Sequence, residues 1–232
     1  MTTSVPSKRR AIIEALVVLY IYYALLMVFI IAPPLLCKAA RLSVSLRPGA
    51  AITLAGVVIA ETIALVLALK FYRRQGLTLR DAGWGTASPA LVIPCALAAA
   101  VAYAAYTASI PEIRANIAEI SPFKMWGAVT GVFGAVVEEV IFRGFLMARL
   151  QQARLRPFVQ VFLTALAFAF LHLGFGLLGI LCTFALGLVL GLLYLLGQRS
   201  LTGPVLCHAL VNALIEPWLL LWLLKFYAEK FA

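Results

Sequence analysis

Residues 134–145, Gly134-Ala-Val-Val-Glu138-Glu139-Val-Ile-Phe-Arg143-Gly-Phe145, place two adjacent carboxylates and an arginine inside a long apolar run that begins near Trp126. The chain has only nine acidic residues, and two stand side by side here. An ionisable group in the middle of a membrane helix costs roughly 2.5–3.5 kcal/mol on insertion scales, so such groups usually do functional work. The plainer reading of the same residues is a structural ion pair.

Working outward, 64% of the 232 residues are hydrophobic and 12% are charged, with a mean hydropathy of +1.05. A soluble domain carries about 45–50% apolar and about 25% charged residues. The expected fold is therefore all-α, a polytopic transmembrane bundle of seven to eight spans. The net charge of +10 is no sign of nucleic acid. Its Lys and Arg fall mostly in short loops and termini, where they set topology and meet anionic lipid head groups. Their balance favours an inside N-terminus. Cys37, Cys95, Cys182 and Cys207 show no CxxC spacing and read as small packing residues. The basic Lys8-Arg9-Arg10 cluster precedes an apolar run too long for a signal peptide, so an uncleaved first span is expected.

Spans need about 20 mostly apolar residues. Candidates are 11–36, ending at Pro33-Pro34; 50–69, with Glu61 near its middle; and 90–109, interrupted by Pro94. After a proline-bounded connector come 123–151, 157–173, a sixth to Leu196, and a block from Leu201 to Tyr227. That last block contains Pro217 and reads as one kinked helix or two short ones. Gly127, Gly131 and Gly134 form one close-packing face, and Gly187 and Gly191 a second. Residues 1–121 then hold three N-terminal spans and 122–232 a core, within one integral domain. Trp126, Trp218, Trp222 and Tyr227 read as interface anchors, and Phe168 and Phe170 as packing residues. Glu61 has no motif around it and reads as packing or cavity lining.

Helical spacing arranges the polar groups. Glu139 and Arg143, four residues apart, share a face and can pair. Glu138 is rotated about 100° away and has no partner on its own helix. A carboxylate so placed is free to take a proton from water. Both histidines of the chain, His172 and His208, also lie in apolar segments, and His208 shares a face with Asn212. Counted at about 1.5 Å per residue from the nearest connectors, Glu138 lies roughly 17–20 Å deep, His172 about 22 Å, and His208 and Asn212 roughly 10–18 Å. One site within the bilayer can contain all four. Taken singly, each histidine reads as an interhelical hydrogen-bond partner and Glu138 as a polar contact to another helix.

At these residues the chain resembles a known family. Glu138-Glu139-Val-Ile-Phe-Arg143, Phe168-x-x-x-His172 and His208-x-x-x-Asn212 match the EExxxR, FxxxH and HxxxN motifs of the CPBP family. That family comprises CAAX prenyl endopeptidases and bacteriocin-processing or immunity-type intramembrane proteases. The resemblance covers about residues 122–228 and implies a glutamate-dependent intramembrane endopeptidase. By it, Glu138 would activate a water with help from His172. His208 and Asn212 would stabilise the oxyanion, and Glu139 and Arg143 would hold the first motif in place. The implied partners are membrane lipids and a membrane-associated protein or peptide, cleaved near a lipidated or hydrophobic C-terminus. The implied place is a membrane, the plasma membrane if the source is prokaryotic.

No cofactor is expected. Zinc or another divalent metal is the chemical alternative, since two histidines and two glutamates could ligate it. There is no HExxH, however, and Asn212 suits an oxyanion better than zinc. The sequence also lacks the GxSxG of a serine hydrolase. From a different class, the alternative is a non-proteolytic scaffold or transporter whose polar cluster is a packing knot or proton relay. A transporter would show an internal repeat, and none is found. Substrate identity and oligomeric state are not legible.

Overall fold

The computed structural model describes residues 7–41, 46–74, 80, 83–84, 89–173 and 176–215. The described residues form helices and turns without a strand: α1 Lys8–Ala39, α2 Leu46–Arg74, α3 Pro89–Thr107, α4 Pro111–Ala118, α5 Pro122–Glu139, a π segment Val140–Met147, α6 Ala148–Gln152, α7 Pro157–Leu171, α8 Gly176–Leu196 and α9 Thr202–Ile215. Five are long and apolar enough to cross a membrane: Lys8–Cys37, Arg47–Arg74, Ala90–Thr107, Pro122–Gln152 and Gly176–Leu196. The helices α7 and α9 are shorter apolar rods. Many large side chains on the outer faces are open, among them Leu16, Val101, Phe158 and Leu177. That is what helices in contact with lipid rather than water present.

Three features differ from expectation. The first helix does not end at Pro33-Pro34 but continues to Ala39. Pro33 has no N–H to give the carbonyl of Phe29 four residues back. The second helix closes on that carbonyl through Gly56, where an added Cβ would fall 2.7 Å from Phe29 O. A neighbouring helix thus packs where the proline leaves the ladder open. The connector after Thr107 holds the short helix α4, with Pro111 in its first turn. Arg114 N–H bonds the Ile110 carbonyl, 3.0 Å away, at its start. The rod 122–152 is continuous as expected, but its middle is π rather than α. All eight residues of that segment are buried. The hydroxyl of Tyr72, from α2, donates to the carbonyl of Gly144 within it. Pro217, Trp218, Trp222 and Tyr227, on which other expectations fell, lie outside the described residues.

Packing places the rod α5–π–α6 at the centre. Helix α1 lies along α2 and against α6, α2 on α5, and α5 on α9, which α3 covers from outside. Helices α7 and α8 pair closely. Both expected glycine faces work as contacts. A Cβ on Gly187 would meet Ala165 Cα at 2.9 Å, and one on Gly191 would meet Val161 Cγ1 at 2.9 Å, so α7 and α8 approach at small residues. A Cβ on Gly134 would lie 2.7 Å from Glu61 Oε1, so this glycine admits the carboxylate of α2 against α5. At one end, Glu14 of α1 pairs with Arg10 at 2.8 Å and with Arg149 of α6 at 3.3 Å. The Arg149 guanidinium also lies about 5 Å from the rings of Phe71 and Phe145, which ties α1, α2 and the central rod together.

Candidate active site

Ser121 starts the central helix by accepting the N–H of Lys124, with Pro122 in the first turn. Five turns later that helix delivers Glu138 and Glu139 to opposite duties. Glu139 is fully buried, and its Oε1 accepts from Arg143 Nη1 at 2.8 Å. The expected pair therefore forms, even though the π segment widens the turn between them. The Arg143 Nη2 donates to the carbonyl of Gly187 at 3.0 Å, which binds the first motif to α8. Its guanidinium also lies 5.2 Å from the centre of the Phe168 ring.

The same Glu139 oxygen lies 2.8 Å from Nδ1 of His208 on α9. A carboxylate already paired with arginine accepts, so Nδ1 carries the proton and Nε2 is presented to the other side. There, Nε2 lies 3.7 Å from Glu138 Oε2. Arg143, Glu139, His208 and Glu138 thus form one chain of contacts across two helices. His172, at the end of α7, has its Nδ1 2.9 Å from the carbonyl of Phe168. A carbonyl can only accept, so this proton too is assigned to Nδ1, and in the neutral ring Nε2 carries the lone pair. Phe168 is fully buried between the two imidazoles, its ring centre 4.9 Å from that of His172 and 5.4 Å from that of His208. The phenylalanine of the second motif therefore spaces the two histidines.

Asn212 Nδ2 donates to the carbonyl of Gly131 at 2.9 Å. An amide nitrogen has two hydrogens, so one remains for another acceptor. Glu138, His172, His208 and Asn212 all line a single cavity of about 160 Å³ between the helices. A cavity of about 150 Å³ holds a benzene-sized group. This one has room for a side chain or several waters beside the carboxylate. Glu61 lines the same cavity, as the cavity-lining reading expected.

One residue of the site was not foreseen. Tyr22 of α1 is buried, packs edge-on against Phe142 and directs its hydroxyl at Glu138 Oε1 from 3.5 Å. A signal existed, because tyrosines favour membrane interfaces and Tyr22 falls well inside its span. Among the described residues, no group of three or more His, Cys, Asp or Glu is arranged to hold a metal ion. Cys182 and Cys207 are buried free thiols, in keeping with packing roles.

Among the described residues, the helices thus close carboxylates, imidazoles and a carboxamide around one internal cavity. Residues 121–214 match the family model described as "Rce1-like: Type II CAAX prenyl endopeptidase Rce1-like", a match that supports the resemblance to the CPBP family over that segment. All seven motif residues, Glu138, Glu139, Arg143, Phe168, His172, His208 and Asn212, lie within it, and the family so described is one of CAAX-type prenyl endopeptidases. The apolar helices and this family together point to an integral membrane protein. No curated protein and no solved structure matches the chain.

Proposed function

We propose that the protein is a multi-pass intramembrane endopeptidase in which Glu138 activates the attacking water. Glu138 takes a proton from the water, and the hydroxide adds to the substrate carbonyl carbon. His172 presents Nε2 to the same cavity and holds that water. The oxyanion accepts from Asn212 Nδ2 and from His208, which enters the step as imidazolium and leaves it so, with Nδ1–H on Glu139 and Nε2–H towards the cavity. The C–N bond then breaks as the amine nitrogen takes the proton from Glu138. Arg143 and Glu139 keep the His208 ring in register, as the carboxylate behind a catalytic histidine does in other hydrolases. Tyr22 steadies the Glu138 carboxyl from α1. The substrate is a membrane-delivered peptide cleaved near a lipidated or hydrophobic C-terminus.

The observation that best supports this reading is the convergence of all four groups on one cavity, with Glu138 and His208 in direct apposition. The test uses purified wild type, Glu138→Gln, His172→Ala and His208→Ala, with a quenched-fluorescence prenylated CAAX peptide. Glu138→Gln should fold as the wild type does and cleave at least about a hundredfold more slowly, the low end for loss of a general base. A folded Glu138→Gln that cleaves normally would sink the mechanism. Absence of cleavage by the wild type would instead restore the scaffold reading, in which the buried Arg143–Glu139–His208 chain is a packing knot.

A further inference from the structure

Two adjacent tyrosines of α1 face different walls of the site. Tyr22 turns its hydroxyl to Glu138 Oε1 on α5, 3.5 Å away. Tyr23 is the next residue, rotated about 100° around the helix, and donates its hydroxyl to the carbonyl of Ala167 on α7. Ala167 stands immediately before Phe168, whose own carbonyl lies 2.9 Å from His172 Nδ1. The two hydroxyls of α1 thus reach the Glu138 carboxyl and, on α7, the carbonyl next to the one that orients His172.

The placement of His172 explains why such a hold matters. It caps α7, whose last helical residue is Leu171, and helix ends fray. The close approach of α7 to α8 comes earlier, where Gly191 meets Val161 and Gly187 meets Ala165. At 1.5 Å per residue, His172 stands about 10 Å further along the axis than Ala165. From inside the bundle, Phe168 packs edge-on against Phe142 with ring centres 5.5 Å apart, and Phe142 packs in turn on Tyr22. From the α1 side, the half-buried Tyr23 takes hold of the same turn. A carbonyl oxygen has two lone pairs, so Ala167 can accept the phenol without giving up its bond along the helix. One such bond adds little to the stability of the whole bundle. It does fix the height and rotation of the turn that carries His172, and a misplacement of about 1 Å in a reacting group can cost about a hundredfold in rate.

We propose that Tyr23 is a positioning residue which, through the last turn of α7, sets where His172 Nε2 stands relative to Glu138. The proposal rests on the protease reading above, in which those two groups share the attacking water. Its test is Tyr23→Phe, which deletes one hydroxyl. With the prenylated, quenched peptide, kcat should fall at least about fivefold while KM stays within about twofold. The thermal midpoint in detergent should move by no more than about 5 °C, the range for one hydrogen bond in a chain of this size. Whatever turnover His172→Ala retains should be indifferent to Tyr23→Phe, because the path to the water is already cut. His172 and His208 are the two histidines of the chain, so isotope-labelled histidine gives two imidazole signals by NMR, assigned with His172→Ala. Tyr23→Phe should displace the His172 ring resonances and leave those of His208 in place, a readout that needs no substrate. Unmoved His172 resonances, an unchanged kcat, or a kcat loss that recurs in full on His172→Ala overturns this proposal alone. So does a midpoint that falls much further, which would make Tyr23 a strap of the whole bundle. If wild type cleaves no peptide, the protease reading falls, and a displaced His172 ring would then mark a structural tie with no part in a reaction.

Discussion

Replacing Arg143 with methionine keeps an unbranched stem of similar reach and deletes the charge. In the folded protein Arg143 is fully buried and makes two hydrogen bonds, to Glu139 Oε1 at 2.8 Å and to Gly187 O at 3.0 Å. Without it, Glu139 keeps only the His208 Nδ1–H, and the Gly187 carbonyl loses that donor. Breaking one partner of a buried ion pair costs about 3–5 kcal/mol, because the other charge stays buried. A lost donor to a buried acceptor is worth about 1–3 kcal/mol and overlaps with that figure. Arg143→Met is therefore expected to lose about 4 kcal/mol, and Glu139→Gln a similar amount for the converse reason. In the double variant Glu139→Gln/Arg143→Met no charge is left unpaired, and the glutamine can still accept from His208. Its loss should fall short of the sum of the two singles by about 3 kcal/mol. Equilibrium unfolding of the four proteins in mixed micelles measures all these terms. An Arg143→Met loss under about 1 kcal/mol, or singles that add within about 0.5 kcal/mol, would refute the claim that this pair fastens the central rod.

Two further outcomes follow from close contacts and from the donor set. Gly187→Ala drives a methyl against the backbone of Ala165 at 2.9 Å, which cannot yield without parting α7 from α8. It should cost about 1–3 kcal/mol, read as a lower thermal midpoint in detergent. Gly191→Ala meets only the Val161 side chain and regains up to about 1 kcal/mol of helix propensity, so its loss should be the smaller of the two. A reversed order would show the contact to be softer than it looks. Cleavage by wild type should survive prolonged treatment with a strong zinc chelator. A loss of more than about tenfold, restored by added zinc, would replace the metal-free mechanism with a zinc-bound water.

What the sequence made legible was whatever helical periodicity can encode. Glu139 and Arg143 pair because four residues bring them to one face, and that holds even where the backbone turns π. The five long rods are readable from unbroken apolar length. Proline was the misleading signal. Pro33-Pro34 reads as a stop because a lone helix would fray there. It is no stop in the bundle, because Gly56 lets α2 cover the open Phe29 carbonyl. Such compensation depends on a second helix, and no window along one chain segment contains it. The π segment is hidden for the same reason: the Gly144 carbonyl within it is answered by Tyr72, seventy-two residues earlier.

The site divides along the same line. Its motif residues lie on three separate stretches of the C-terminal half, each declared by its own short spacing. Tyr22 and Glu61 come from the first two helices, where an isolated tyrosine or glutamate has no local pattern to mark it. Tyr20 and Tyr22 stand two residues apart, yet one is 74% exposed and the other 1%. Composition cannot tell them apart, because only the helix that each faces does so. On the proposed mechanism the C-terminal half carries the chemistry, and the N-terminal helices help to hold Glu138 through Tyr22. Tyr22→Phe should then lower the rate without abolishing hydrolysis, whereas substitution at Glu138 should abolish it for every peptide. The two halves of the chain would then share one cavity that neither lines alone, the C-terminal half supplying the reacting groups and the N-terminal half a hydroxyl that holds one of them.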